Sequence, residues 1–87
     1  MDESILHLIQ LSKSLKSKGE KLETSSSELG QLLGVSQQSA SRYIVRLERA
    51  GYVRRLRTAR GQEISLTDKG AAALEKVRSD LNEFFSK

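Results

Sequence analysis

The stretch Ser26–Arg42, which reads SSELGQLLGVSQQSASR, decides the fold of this chain. It predicts two short helices joined by a turn at Gly34, because glycine tolerates the left-handed conformation in which helices commonly end. Ser25, followed three residues later by Glu28, fits a capping box at the start of the first helix. Ser36 is the expected N-cap of the second helix. The stretch therefore predicts a helix-turn-helix.

The second helix is predicted over residues 37–50 and is amphipathic. At about 100° per residue, Ala40, Ile44 and Leu47 share one face, which must point at the core. The opposite face and the N-terminal edge carry amides, hydroxyls and arginines. Side chains of these types reach base edges and phosphates in a DNA groove.

The sequence before the helix-turn-helix predicts one helix and one short strand. Apolar residues at helical spacing indicate a helix over residues 3–18, which Gly19 would end. Beyond a polar loop, Leu22 and Thr24 are expected to form a very short strand. His7, the single histidine, lies within the helix and is expected on its flank or surface.

The sequence after the helix-turn-helix predicts a β-hairpin and a final helix. Residues 52–58 and 63–66 are strand-like runs, separated by a turn over residues 59–62 in which Gly61 can take a positive φ. Thr67 is the expected N-cap of a helix over residues 68–86. A hairpin in this place is a wing. The predicted fold class is therefore mainly α with a small β-hairpin, a winged helix-turn-helix with four helices and a two-stranded wing.

Positive charge is concentrated in the second helix and the wing. The net charge is +4, yet residues 42–60 contain seven arginines against one acid, Glu48, which amounts to +6 in nineteen residues. Such a concentration is typical of a surface that binds a polyanion, and double-stranded DNA is the predicted partner. The alternative is a solvated, arginine-rich hairpin. The seven are Arg42, Arg46, Arg49, Arg54, Arg55, Arg57 and Arg60.

The predicted DNA-binding residues divide into base-contacting and phosphate-contacting groups. Gln37 and Gln38 are expected at base edges, and Arg42 at guanine or at a phosphate. The serines, Arg46 and the arginines of the wing tip are expected to contact phosphates. The predicted site consists of Ser36, Gln37, Gln38, Ser39, Ser41, Arg42, Arg46, Arg57 and Arg60.

Three arginines are left out of the predicted site. Arg49 is expected to face water or to pair with the residues around Glu48. Arg54 and Arg55 point to opposite faces of a strand, and the sequence does not say which of them faces DNA.

Composition argues against several other classes of function. With no cysteine, one histidine and dispersed carboxylates, the chain offers no nucleophile with a base and no metal cluster, so no enzyme, metal or cofactor is expected. The absence of disulfides favours a cytoplasmic location. No apolar run approaches the roughly 20 residues that cross a bilayer, and no membrane partner is expected. The length fits one domain over residues 1–87.

The final helix carries apolar side chains at the spacing of a packing seam. Leu74, Val77, Leu81 and Phe84 are spaced 3, 4 and 3 residues apart. With Phe85, they predict a homodimer through the first and last helices, because two aromatic residues at a helix end would otherwise be exposed. The alternative is that one of them covers the first helix of its own chain. The sequence indicates no particular small-molecule effector.

Two motifs extend the helix-turn-helix into a family resemblance. LERAGYV at residues 47–53 joins the second helix to the wing, and LTDKG at residues 66–70 follows the wing. Together with the helix-turn-helix they resemble the winged-helix transcriptional regulators of the MarR group.

A narrower resemblance lies in the middle of the chain. TSS at 24–26, LGVSQQSASR at 33–42 and LERAGY at 47–52 are similar to the N-terminal DNA-binding domain of archaeal CTP-dependent riboflavin kinases. In that family a winged helix precedes a β-barrel kinase domain, and the protein controls riboflavin-related genes. The resemblance implies that residues 36–42 read DNA. It implies no CTP-binding or riboflavin-binding residue in this sequence, because no kinase domain lies within residues 1–87.

Two functions follow from these observations. The first is sequence-specific duplex DNA binding by a transcriptional regulator, either stand-alone or the N-terminal part of a longer protein, that controls riboflavin-related genes. The alternative is a winged-helix module that binds protein, or docks in a larger enzyme such as a riboflavin kinase, without touching DNA.

Overall fold

The computed structural model describes residues 3–17 and 21–85. Over these residues the chain forms four helices and a three-stranded antiparallel sheet. The predicted fold class, a winged helix-turn-helix, is confirmed. In chain order the elements are α1 (Glu3–Ser17), β1 (Lys21–Thr24), α2 (Ser26–Leu33), α3 (Gln37–Arg49), β2 (Val53–Thr58), β3 (Gly61–Leu66) and α4 (Asp68–Phe85).

The start of α2 has the predicted capping box. The backbone N–H of Glu28 donates to Ser25 Oγ at 3.2 Å, and the backbone N–H of Ser25 donates to Glu28 Oε1 at 3.4 Å. These two bonds satisfy backbone donors that have no partner within a helix. The helix therefore begins where its local sequence predicts.

The turn between α2 and α3 is built around Gly34, whose φ is +69°. The N–H of Gly34 donates to the carbonyl of Gln31, and the N–H of Val35 donates to the carbonyl of Gly30. This pair of bonds is the usual way to end a helix in the left-handed conformation. The N–H of Ser39 then donates to Ser36 Oγ at 3.1 Å, so Ser36 caps α3 as predicted.

The sheet has the order β1-β3-β2, which places β3 in the centre. The turn predicted over residues 59–62 is two residues too long, because Thr58 pairs with Gly61 across a turn of two residues. Gln62 belongs to β3 and pairs with Arg57 on one side and Thr24 on the other. The short predicted strand before α2 thus pairs with β3 as far as Gln62, and Gly61 joins the sheet through Thr58 of β2.

Gly61 takes the positive φ that the sequence predicts, at +139°. A Cβ at this position would lie 2.8 Å from the carbonyl oxygen of Thr24 and 2.9 Å from Cα of Ser25. Both atoms are backbone and cannot move aside cheaply. Glycine therefore lets β1 and the start of α2 lie close to β3 beside the turn of the wing.

The core lies where α1, α2, α3 and the sheet meet. Each helix contributes leucines or aliphatic residues of one face, and the sheet contributes one residue from each strand. The fully or almost fully buried residues are Leu8, Leu11, Leu15, Leu22, Leu29, Leu33, Ala40, Ile44, Leu47, Val53 and Ile64. Burial of this apolar surface is the main favourable term in folding, and it holds α3 by its predicted inner face.

Helix α4 begins at the predicted N-cap and leaves the core as it proceeds. The backbone N–H of Gly70 donates to Thr67 Oγ1 at 3.0 Å, while the hydroxyl of Thr67 donates to the carbonyl of Gly51. One side chain thus caps α4 and ties it to the end of α3. Toward its C-terminus the helix is exposed. The predicted ends at Gly19 and Ser86 fall outside the described residues.

Candidate nucleic-acid interface

Helix α3 presents its polar face to solvent because its apolar face is completely buried. Ala40, Ile44 and Leu47 have no exposed surface. The opposite side chains Gln37, Gln38, Arg42, Arg46 and Arg49 are exposed, and Ser39 and Ser41 are half-buried beside them. This separation is what an α-helix needs to enter the major groove while it stays attached to a domain.

The guanidinium of Arg42 is held on the first turns of α3. Its Nη2 donates to Ser39 Oγ at 3.2 Å, a contact between residues three apart on the helix surface. The bond directs Arg42 back toward the N-terminal end, where Gln37 and Gln38 lie. In the free protein Ser39 therefore contacts Arg42, in addition to the phosphate contact predicted for it.

The wing brings the predicted residues Arg57 and Arg60 to the surface. Arg60 lies in the two-residue turn at the tip, and both side chains are exposed. Arg57 also lines a groove between the wing and the helix-turn-helix, opposite Ser41 of α3. The structure thus brings together predicted site residues from α3 and from the wing.

The sequence does not say which of Arg54 and Arg55 faces DNA. The structure places them on opposite faces of β2. Arg55 lies on the inner face of the wing, where its Nη2 is 3.3 Å from Glu48 Oε1. Arg54 lies on the outer face and is exposed. The register explains this difference, because Arg55 is two residues from the buried Val53 and therefore shares its face. The sequence carries no clear signal for this assignment, because Val53 and Leu56 are both apolar and lie on opposite faces of the strand, and the structure shows that Val53 is the buried one.

The groove also contains residues that sequence reasoning missed. Ser26, the first residue of α2, and Gln62 of β3 line it together with Glu48 and Arg55. Ser26 is distant in sequence from α3 and from the wing. Only the pairing of β1 with β3 brings the start of α2 to this place.

His7 of α1 contacts α3 through the ring of Tyr43. Its half-buried ring stacks on Tyr43 with a centroid separation of 3.6 Å and an interplanar angle of 17°. The expectation that His7 lies on the flank of α1 is consistent with this contact. The stack joins α1 to α3 and is structural.

Across residues 3–17 and 21–85, no three His, Cys, Asp or Glu side chains form a group that could hold a metal ion. Within the same part of the chain, no helix has the length and apolar character that crossing a membrane requires.

Helices α1 to α3, the glycine turn and the basic wing define this chain as a winged helix-turn-helix protein. Residues 10–62 match the model of the MarR family. The chain belongs to that family.

In sequence the chain is similar to part of several riboflavin kinases. The chain is 46% identical over 61 residues to a riboflavin kinase of Thermoplasma acidophilum, and 44% identical over 61 residues to that of Thermoplasma volcanium. A riboflavin kinase of Pyrococcus furiosus is 32% identical over 60 residues. The alignments cover about 70% of this chain, and it spans only 28% of the length of these three relatives.

Two solved structures are similar to the structure of this chain. The oxidized form of MarR from E. coli superposes with a TM-score of 0.63 at 31% identity, over 82% of this chain and 49% of that one. A MarR family transcription regulator superposes with a TM-score of 0.70 at 24% identity, over 99% of this chain and 55% of that one. The second similarity concerns the fold alone.

Proposed function

We propose that this protein is a transcriptional regulator that binds double-stranded DNA in a sequence-specific manner. The observation that carries the proposal is the exposed polar face of α3, which is backed by a fully buried apolar face and flanked by a basic wing. In this arrangement α3 enters the major groove, and the wing follows the backbone or the adjacent minor groove. The proposed role is non-enzymatic, and the proposed location is the cytoplasm.

The residues have different roles in this proposal. Gln37, Gln38 and Arg42 lie on the first turns of α3 and read base edges, since a recognition helix meets the bases at its N-terminal end. Arg42 arrives oriented by Ser39, which lowers the entropy lost on binding. The remaining predicted residues hold phosphates and set the position of the domain. They are Ser36, Ser39, Ser41, Arg46, Arg57 and Arg60.

The proposed regulator is a homodimer through α1 and α4. Leu81, Phe84 and Phe85 are 46%, 71% and 78% exposed, and the two phenylalanine rings touch edge to face with centroids 5.3 Å apart. Apolar grooves run beside α4 toward Ile5 and Ile9 of α1. A second copy on this surface would bury these side chains. Two-fold symmetry then requires a palindromic operator with half-sites about 10 base pairs apart or a multiple of that.

The curated relatives suggest which genes the proposed regulator controls. They are riboflavin kinases, and this chain matches a segment that is 28% of their length. We infer that the proposed regulator controls riboflavin-related genes. The same observation favours a second candidate, in which the winged helix docks within a larger enzyme such as a riboflavin kinase and does not bind DNA.

Salt-dependent titration with random-sequence duplex separates these two functions. Phosphate contacts make the logarithm of affinity fall with the logarithm of salt concentration, with a slope of about −0.9 per neutralised phosphate. The proposal expects binding at low salt and a steep slope, whereas docking through an apolar surface would be far less salt-sensitive. Absence of binding to any duplex at low salt would refute the proposed DNA binding. Selection from a random duplex library then returns the operator and the half-site spacing.

Substitutions test the division of roles on the selected operator. Gln38→Ala or Arg42→Ala is expected to cost about 1 to 3 kcal/mol and to weaken base preference, while Arg60→Ala weakens all sequences alike. Arg78→Ala on α4 is the control, because it removes an exposed arginine that lies outside α3 and the wing. Since Arg78 lines an apolar groove of the proposed dimer surface, light scattering must first show that this variant keeps the wild-type oligomeric state. Equal losses on operator and random DNA for Arg42→Ala would reassign Arg42 to a phosphate.

The dimer is tested separately by light scattering at micromolar concentration without DNA. Replacement of Phe84 and Phe85 by serine is expected to convert a dimer into a monomer without unfolding, since both rings are mostly exposed. A wild-type chain that is already monomeric would remove the proposed interface.

A further inference from the structure

Glu48 is the single acidic residue in the basic segment from Arg42 to Arg60. Its Oε1 lies 3.3 Å from Nη2 of Arg55. The side chain of Arg55 is 33% exposed and that of Glu48 is 38% exposed, so both charges remain accessible to solvent. An ion pair this exposed contributes little to stability.

The pair occupies the groove between the recognition helix and the wing. Residues of the predicted DNA-binding site lie on both sides of it, Ser41 on α3 and Arg57 on β2. Arg55 and Arg57 are two residues apart in a strand, so their side chains leave the same face. Without Glu48, this face would present two adjacent guanidinium groups to a ligand.

The location matters for DNA because the groove lies between the two elements that contact the duplex. When α3 lies in the major groove and the wing reaches the adjacent minor groove, the phosphate backbone that separates them passes this place. A carboxylate in this groove faces the backbone phosphates of a bound duplex, whatever the base sequence of that duplex. It also keeps one arginine from neutralising them.

We propose that Glu48 limits the sequence-independent part of DNA affinity. It pairs with Arg55 and repels the phosphate backbone, which lowers affinity for any duplex by a similar factor and leaves discrimination to the residues of α3 that contact bases. This inference rests on the proposed DNA binding.

The test is the substitution Glu48→Gln in the 87-residue chain, with random duplex and the selected operator as ligands. The variant releases Arg55, and random duplex is expected to bind more tightly at low salt with a slope steeper by about 0.9, the value for one more phosphate contact. Between 50 and 200 mM salt, this slope means an additional loss of roughly 3.5-fold in affinity relative to wild type. Because the added contact is to the phosphate backbone, operator and random duplex are expected to gain affinity alike, and the ratio of their affinities is expected to stay close to that of wild type.

Glu75→Gln is the matched control. Glu75 is paired with Arg78 on α4 at 3.8 Å, so this change removes the same charge and the same type of ion pair away from the groove. Its salt slope is expected to equal that of wild type. The double variant Glu48→Gln/Arg55→Gln is expected to return to the wild-type slope, because Arg55 supplies the extra contact. Thermal melting verifies that each variant is folded.

The outcomes are distinguishable. If wild type binds no duplex at low salt, the proposed function itself is overturned, and the role of Glu48 with it. If wild type binds but Glu48→Gln and Glu75→Gln have the same slope, only the role of Glu48 is overturned. A steeper slope that persists in the double variant would exclude Arg55 as the group that Glu48 restrains.

Discussion

Replacement of Gly30 by alanine sets helix propensity against packing in the middle of α2. Propensity alone favours alanine by about 1 kcal/mol. A Cβ at this position would lie 2.9 Å from the carbonyl oxygen of Val35, 3.2 Å from the backbone nitrogen of Gln37 and 3.3 Å from the carbonyl carbon of Ser36. All three atoms belong to the backbone of the turn and the start of α3, so the substitution must push α3 away from α2.

The size of the effect follows from these two opposing terms. Overpacking of this kind costs about 1 to 3 kcal/mol, which exceeds the gain from propensity. The expected result is a net loss of about 1 kcal/mol in the free energy of unfolding, or a decrease of roughly 4 to 8 °C in Tm for a domain of this size. Urea denaturation and thermal melting followed by circular dichroism measure both quantities.

The sign of the change in the free energy of unfolding decides whether packing or helix propensity dominates at Gly30. Gln31→Ala, an exposed neighbour on the same helix, is the control and should lie within about 0.5 kcal/mol of wild type. If Gly30→Ala is as stable as wild type or more stable, the close approach of α2 to the turn is not a constraint. The packing argument for the helix-turn-helix would then fail.

Three further substitutions test other contacts, each by urea denaturation. Ile44→Ala removes a fully buried side chain of α3 and should cost about 2 to 5 kcal/mol; a loss below 1 kcal/mol would contradict its place in the core. Thr67→Ala should cost about 1 kcal/mol through loss of the α4 cap, whereas Thr67→Ser, which keeps the hydroxyl, should be close to wild type. Glu23→Thr should stabilise by about 0.2 to 1 kcal/mol, because Glu23 and Glu63 are directly opposed in register; unchanged stability would mean that solvent screens the repulsion.

Most of the helical architecture could be predicted because its signals are local. The capping box of Ser25 and Glu28, the left-handed Gly34 and the N-cap Ser36 each involve residues three or four apart. Such interactions depend on short-range geometry that every helix shares. The buried face of α3 followed from its period, and Ala40, Ile44 and Leu47 are all fully buried.

The wing was predicted less accurately because its boundaries depend on pairing. Gly61 and Gln62 look like turn residues in sequence, yet they form the start of β3. Gly61 pairs with Thr58 of β2, and Gln62 pairs with Arg57 of β2 and with Thr24 of β1. A strand four residues long has little signal of its own. Its pairing with β3 is a contact across some 40 residues of chain, which no local pattern contains.

Part of the candidate site could likewise be predicted from local sequence, and part depends on the tertiary structure. Local chemistry was sufficient to place Gln37, Gln38 and Arg42 on an exposed helical face, since the spacing of apolar residues determines which side is buried. The pairing of Glu48 with Arg55 was decided by the tertiary structure, because it requires the wing to fold back against α3 with Val53 in the core. Helical periodicity acts within one element, whereas the contact between a helix and a strand depends on how the whole core packs.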